Sequence, residues 1–214
     1  MKIRKYYLLT LLLLNSFVAF AQNQSFNFER LGTHEGLSQI NVLCIFQDSR
    51  GFIWVGTTDG LNRYDGYNFT IYRDDPKDNT TLTGNYVTDI TEDKDGNLWI
   101  ASLDGLSKYN RKNESFVQFK HDAKNPESIS SNLIDKLVFD SNGNLWLATE
   151  NAGLDCYNPK TNIFSHHIHS DRDANSISDN SANCVFEDSA HNLWVGTSTG
   201  GLNRFDPKTG NFIK

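Results

Sequence analysis

The sequence predicts an all-β protein, a β-propeller of four-stranded blades, and three observations predict it. All four tryptophans of the 214-residue chain stand in one recurring phrase. The phrase returns after 45, 47 and 48 residues, which is the length of one four-stranded blade. Beyond the first twenty residues no window carries a helical stripe, while aromatics are frequent and Gly, Asn, Asp and Ser punctuate the chain.

The phrase reads Gly51-Phe52-Ile53-Trp54-Val55-Gly56-Thr57 in its first copy, and Trp99, Trp146 and Trp194 centre the other three. Six residues before each tryptophan stands an aspartate: Asp48, Asp93, Asp140 and Asp188. Nine before it stands an aliphatic: Ile45, Ile90, Leu137 and Val185. Gly-Leu follows, at Gly60, Gly105, Gly153 and Gly201, and then an aromatic with Asp or Asn. We read the first copy as an inner strand at 42–47, a second at 52–57, a third at 61–64 and an outer strand at 69–73. The blades then run at about 39–75, 84–120, 131–169 and 179–214.

Each repeated residue has a structural duty. The aspartate opens a tight hairpin, where its carboxylate accepts backbone N–H groups and the glycine three residues on supplies a positive φ. The fourth copy has His191 in place of that glycine, so its turn is expected to be strained or of another type. The tryptophans are expected in equivalent, largely buried positions, and the small residues Gly56, Ala101, Ala148 and Gly196 should let the next blade approach. Polar connectors, such as 75–79, 125–130 and 175–178, join one blade to the next. Residues 26–31 alternate like a leading strand, and the fourth repeat stops within its expected outer strand, so we read an incomplete piece of a larger propeller.

Residues 1–21 read as a secretory signal: Lys2, Arg4 and Lys5, an apolar run over 6–20, and Ala19-Phe20-Ala21 before cleavage at Gln22. The run is short for a membrane anchor spanning ~30 Å, and no later segment is apolar enough to cross. The chain carries a net charge of −6, and loss of the signal's three cations makes the remainder more acidic still. Nucleic acid and anionic lipid are thereby poor partners. Of the three cysteines, Cys44 and Cys184 sit in apolar strands and read as small buried hydrophobes.

These copies, with the opening Gly36-Leu37-Ser38 and the run from Gly60 to Gly66, resemble the first repeats of the two-component regulator propeller family. The resemblance implies a periplasmic sensor of Gram-negative bacteria, often responding to oligosaccharides. It implies a longer parent with further blades, a membrane helix and a histidine kinase, itself membrane-anchored and dimeric. That family's motif marks blade structure and carries over no ligand contacts.

No enzyme is read from the residues themselves. His166, His167 and His169 are the sharpest metal candidates, yet an outer strand explains them and no metal or cofactor is expected. Asp93-Lys94-Asp95-Gly96-Asn97 has its glycine two positions early for a calcium loop. No nucleophile elbow or nucleotide loop occurs. Tyr67, Tyr72 and Tyr86 could stack on sugars but are expected to pack within blades. Alternatives to the sensor segment are the leading part of a secreted propeller hydrolase or lyase, and a stand-alone scaffold.

Overall fold

The computed structural model describes residues 27–214, and the signal with its cleavage site lies outside them. Sixteen strands form four antiparallel sheets, each in simple meander order. Blade 1 contains β1 (Val42–Gln47), β2 (Ile53–Thr57), β3 (Gly60–Tyr64) and β4 (Phe69–Tyr72). Blade 2 contains β5 (Val87–Glu92), β6 (Leu98–Ser102), β7 (Gly105–Asn110) and β8 (Ser115–Phe119). Blade 3 contains β9 (Ile134–Phe139), β10 (Leu145–Thr149), β11 (Gly153–Asn158) and β12 (Ile163–His167). Blade 4 contains β13 (Ala182–Glu187), β14 (Leu193–Thr197), β15 (Gly201–Asp206) and β16 (Asn211–Ile213). No helix among the described residues is long and apolar enough to cross a membrane.

The inner strands lie side by side in chain order, β1 next to β5, β5 next to β9 and β9 next to β13. Hydrophobic burial happens between blades, because a single sheet cannot cover its own faces. Trp54 and Leu61 of blade 1 pack with Val87, Ile90 and Leu98 of blade 2. Trp99 and Leu106 meet Ile134, Leu137 and Leu145, and Trp146 and Leu154 meet Val185, Leu193 and Val195. Gly56 is one such meeting point. A Cβ there would come within 2.7 Å of Val87 Cγ1 in the next blade.

The end faces show the same rule by its interruption. Ile45 is 68% exposed where its equivalents Ile90, Leu137 and Val185 are buried. Leu202 is 59% exposed where Leu61, Leu106 and Leu154 are fully buried. Trp194 is half-buried, unlike the other three tryptophans, and Cys184 is exposed and not the buried hydrophobe expected. Both residues belong to blade 4, whose far face packs against no further sheet among the described residues. Residues 27–32 form no strand, and this corrects the reading of 26–31 as a leading strand. Alternation alone supplies no ladder partner.

Candidate functional site

The Asp–Trp turn is the structural signature of each blade. Asp48 Oδ1 accepts the N–H groups of Arg50 and Phe52, both at 3.0 Å, and Asp48 Oδ2 accepts Trp54 Nε1–H at 2.8 Å. The indole bond recurs at 3.1 Å from Trp99 to Asp93, 2.9 Å from Trp146 to Asp140 and 2.8 Å from Trp194 to Asp188. Gly51, Gly96 and Gly143 hold φ values of 90°, 80° and 83° in this turn. His191 adopts φ 62° and keeps the same hydrogen bonds, so the turn type is unchanged and the histidine carries the left-handed strain.

All four carboxylates are committed to the turn, and three of them are held in the ionised form. Burial pushes the Asp48 carboxyl up, but bonds from Trp54, Arg111 and Phe52 outweigh it and hold it below its ordinary range. At Asp93 burial is likewise outweighed, by Asn97 and Trp99. The Trp194 indole and then Asn192 hold Asp188 well down. A carboxylate saturated with donors makes a poor acid, base or nucleophile.

The joints between blades differ in what fills them. At the first joint Arg111 reaches across to Asp48 at 2.7 Å and also bonds Glu92 at 2.8 Å. Glu92 in turn accepts the Ser49 N–H and hydroxyl, both at 2.7 Å. Glu187 holds Ser141 in the same manner at the third joint, at 2.8 Å in both contacts. At the second joint the equivalent positions are Lys94 and Phe139, and a cavity of about 180 Å³ opens beside Trp99 and Pro159.

A cation lies over the tryptophan in blades 1 and 2. The Arg63 guanidinium stands 5.9 Å from the Trp54 ring and 5.3 Å from Phe52. Lys108 Nζ stands 5.0 Å from Trp99. The equivalent of these residues on β11 is Cys156, paired with Trp146 in the ladder and too short to cover it. The equivalent of Arg111 is Pro207 in blade 4. A groove of about 460 Å³ results between blades 3 and 4. Trp146, Cys156, Ile163, His167, Phe205 and Pro207 form its apolar wall, with Asp140, Asn142, Asn144, Asn158, Thr161 and Ser165 around them. The His167 ring stacks on Trp146 at 5.5 Å, and burial lowers its affinity for a proton. Burial pushes the Cys156 thiol up to about 12, so it stays protonated.

The three candidate histidines are used separately. His166 Nδ1 lies 2.6 Å from Asp155, His167 lies in the groove, and His169 bonds the Ile177 carbonyl at 2.8 Å. Among the described residues no group of three His, Cys, Asp or Glu side chains is placed to hold a metal. Tyr72 packs on Trp54 at 5.9 Å, whereas Tyr67 is 88% exposed and Tyr86 lies partly exposed.

A family model described as "Two component regulator propeller" matches residues 36–59, 81–104, 128–151 and 176–199. Each match begins in the segment leading into a blade and runs through its inner strand, its Asp–Trp turn and its second strand. Histidine kinase P4 of Formosa agariphila is 49% identical over 63 residues, 29% of this chain and 5% of that protein. An extracellular domain ascribed to a hybrid two-component system of B. thetaiotaomicron superposes with a TM-score of 0.66 at 26% identity, over 86% of this chain and 31% of that one. Virginiamycin B lyase from Staphylococcus aureus, solved with quinupristin, has a TM-score of 0.65 at 13% identity, over 89% and 60% of the two chains, a likeness of fold. The chain spans a twentieth of the kinase and about a third of the sensor domain. Four matched copies, one to each blade and each built on the same Asp–Trp turn, show that the chain belongs to the two-component regulator propeller family.

Proposed function

We propose that this chain is the exported, periplasmic sensing segment of a two-component signalling protein, and that it binds its ligand without transforming it. The observation that carries this reading is the match of all four blades to the regulator propeller, joined to the likeness to a sensor's extracellular domain. The chemistry agrees. The repeated aspartates are spent on turns, and a catalytic site needs unlike groups with free hydrogen-bonding capacity in one cleft.

The ligand class we propose is a neutral oligosaccharide, received in the groove between blades 3 and 4. Its apolar wall suits the C–H face of a sugar ring, and amide and hydroxyl side chains around it suit sugar hydroxyls. In the parent protein, further blades would complete the propeller, and a kinase would read the signal across an inner membrane.

Two measurements test the sensor reading. The expressed chain should appear in the exported fraction with Gln22 as its first residue, by mass spectrometry. Incubated with labelled ATP, it should take up no phosphate. Retention of residues 1–21 in the cytosol, or stoichiometric phosphorylation, would overturn the proposal.

A further inference from the structure

Every blade grips the connector that enters it through one buried residue. Asn62, Ser107, Asp155 and Asn203, equivalent residues on β3, β7, β11 and β15, are all fully buried. They accept the backbone N–H of Ser38, Thr83, Ser130 and Ser178 at 2.9, 3.0, 2.7 and 3.0 Å. In three blades the gripping side chain is neutral and also engages the connector's hydroxyl. Asn62 Nδ2 donates to Ser38 Oγ at 2.9 Å and Asn203 Nδ2 to Ser178 Oγ at 2.7 Å, and Ser107 and Thr83 share a hydrogen at 3.1 Å.

Blade 3 departs from this pattern. An ionised Asp155 has no hydrogen to give, and Ser130 Oγ is buried without a hydrogen-bond partner among the described residues. The carboxylate is met by His166 of β12, whose Nδ1 lies 2.6 Å from Asp155 Oδ1. The other ring nitrogen, Nε2, lies 3.0 Å from the carbonyl oxygen of Pro126, in the connector itself. Both ring nitrogens therefore face acceptors. Only the imidazolium, with N–H at each nitrogen, satisfies both; a neutral ring turns a lone pair on one of them.

The location gives the pair leverage. The same connector carries Ile129, buried in the cluster that joins blades 2 and 3. Its Glu127 carbonyl accepts the Phe164 N–H of β12 at 3.3 Å. We propose that Asp155 and His166 form a proton-dependent clasp, which fastens the 120–133 connector to blade 3 and with it the joint between blades 2 and 3. The clasp is closed while His166 is protonated and loosens as the proton leaves. A chain exposed to external pH would thereby stiffen in acid and relax in alkali.

The surrounding groups leave the window to His166. The bond from Asp155, against an opposing effect of burial, raises its affinity for a proton. Successive residues on a strand face opposite ways, so Cys156 and His167 lie on the other face of β11 and β12. Cys156 stays a thiol, and burial keeps His167 less basic than usual. On β10 the residue beside Asp155 is the uncharged Leu147. The connector contributes Lys124, Glu127 and His121, whose Nδ1 rests on the Ile129 carbonyl at 2.8 Å. Since protonation is favoured in the folded state, the contribution is complete below the ordinary histidine value of about 6.5 and fades as pH rises through the raised one.

The test uses the whole chain and two variants that copy its other blades, Asp155→Asn and Asp155→Ser. Amide hydrogen exchange is followed at Ser130 and Phe164, and the His166 ring by NMR. The wild-type His166 should titrate above the ordinary range, and Ser130 protection should fall about tenfold for each unit of that elevation as its proton is lost. Either variant should return His166 to the ordinary range and flatten the Ser130 profile, while leaving His121 unchanged. If one fails to fold, the other supplies the comparison. A wild-type His166 titrating at or below the ordinary range, or the same Ser130 profile in wild type and variant, would overturn the clasp. Neither outcome depends on whether the groove between blades 3 and 4 binds a sugar.

Discussion

The Trp54 indole N–H donates to Asp48 Oδ2 at 2.8 Å, so the residue that shapes the hairpin also anchors the tryptophan that seals the next blade. One side chain thus couples local turn formation to packing between blades. Burying an indole leaves its N–H in need of an acceptor. A carboxylate six residues upstream, brought beside it by the antiparallel β1–β2 pairing, meets that need.

The tryptophans should differ in cost. Trp99→Ala should destabilise the chain by about 3–5 kcal/mol, since the ring is almost fully buried between blades 2 and 3. Trp194→Ala should cost clearly less, because that ring is half-buried. Denaturant melts of the two variants give the comparison. Equal losses would mean the fourth blade is covered after all.

Acid should weaken the turns. The carboxyls of Asp48, Asp93 and Asp188 are held below their ordinary range in the folded chain. Their contribution is present above the unfolded value of about 3.9 and is lost as pH falls from there through the lowered ones. Between about pH 6, where the His166 contribution is already complete, and about pH 4, thermal melts should stay level, and they should drop below it. Asp93→Asn should blunt that drop; an unchanged acid limb would remove these aspartates from the explanation.

Arg111 should matter to the first joint. Its guanidinium bonds the buried Asp48 and the largely buried Glu92, so Arg111→Ala leaves two carboxylates short of a donor. A loss of about 1.5–3 kcal/mol is expected from such charged hydrogen bonds. Arg111→Lys should recover little, having no planar fork to span both acceptors. Full rescue by lysine in a denaturant melt would show that charge alone suffices.

Gly56→Ala should cost about 1–3 kcal/mol, as overpacking does. The new methyl group would press on Cys44 Sγ within the blade and on Val87 in the next. Blades 2 and 3 carry alanine at this place, Ala101 and Ala148, with Asp89 and Lys136 where blade 1 has Cys44. A neutral result by calorimetry would mean the first joint has slack.

Much of the fold was legible because it is written four times. The spacing of Asp48 from Trp54 recurs at every blade, and strands, hairpins and connectors follow from it. That spacing also held the signal for the indole bond, though it reads equally well as turn chemistry alone. The leading segment misled because Phe28 and its neighbours alternate with no strand to pair with among the described residues, and Phe28 is exposed. Cys184 misled because an apolar strand is buried only if a blade covers it. The pairing of Asp155 with His166 depends on the β11–β12 register, and the groove between blades 3 and 4 depends on which residue replaces Arg63 and Lys108. Neither is visible until strands are aligned.

Ligand-observed NMR with a panel of neutral oligosaccharides tests the central functional claim most directly, since it registers weak binding to a four-blade segment. The comparison variant is Cys156→Lys, which restores over Trp146 the cation that Lys108 places over Trp99. The account predicts saturation transfer to at least one oligosaccharide with the wild-type chain and its loss in the variant, with thermal stability retained. No transfer from any sugar, equal transfer in both proteins, or cleavage of the sugar during the experiment would contradict it.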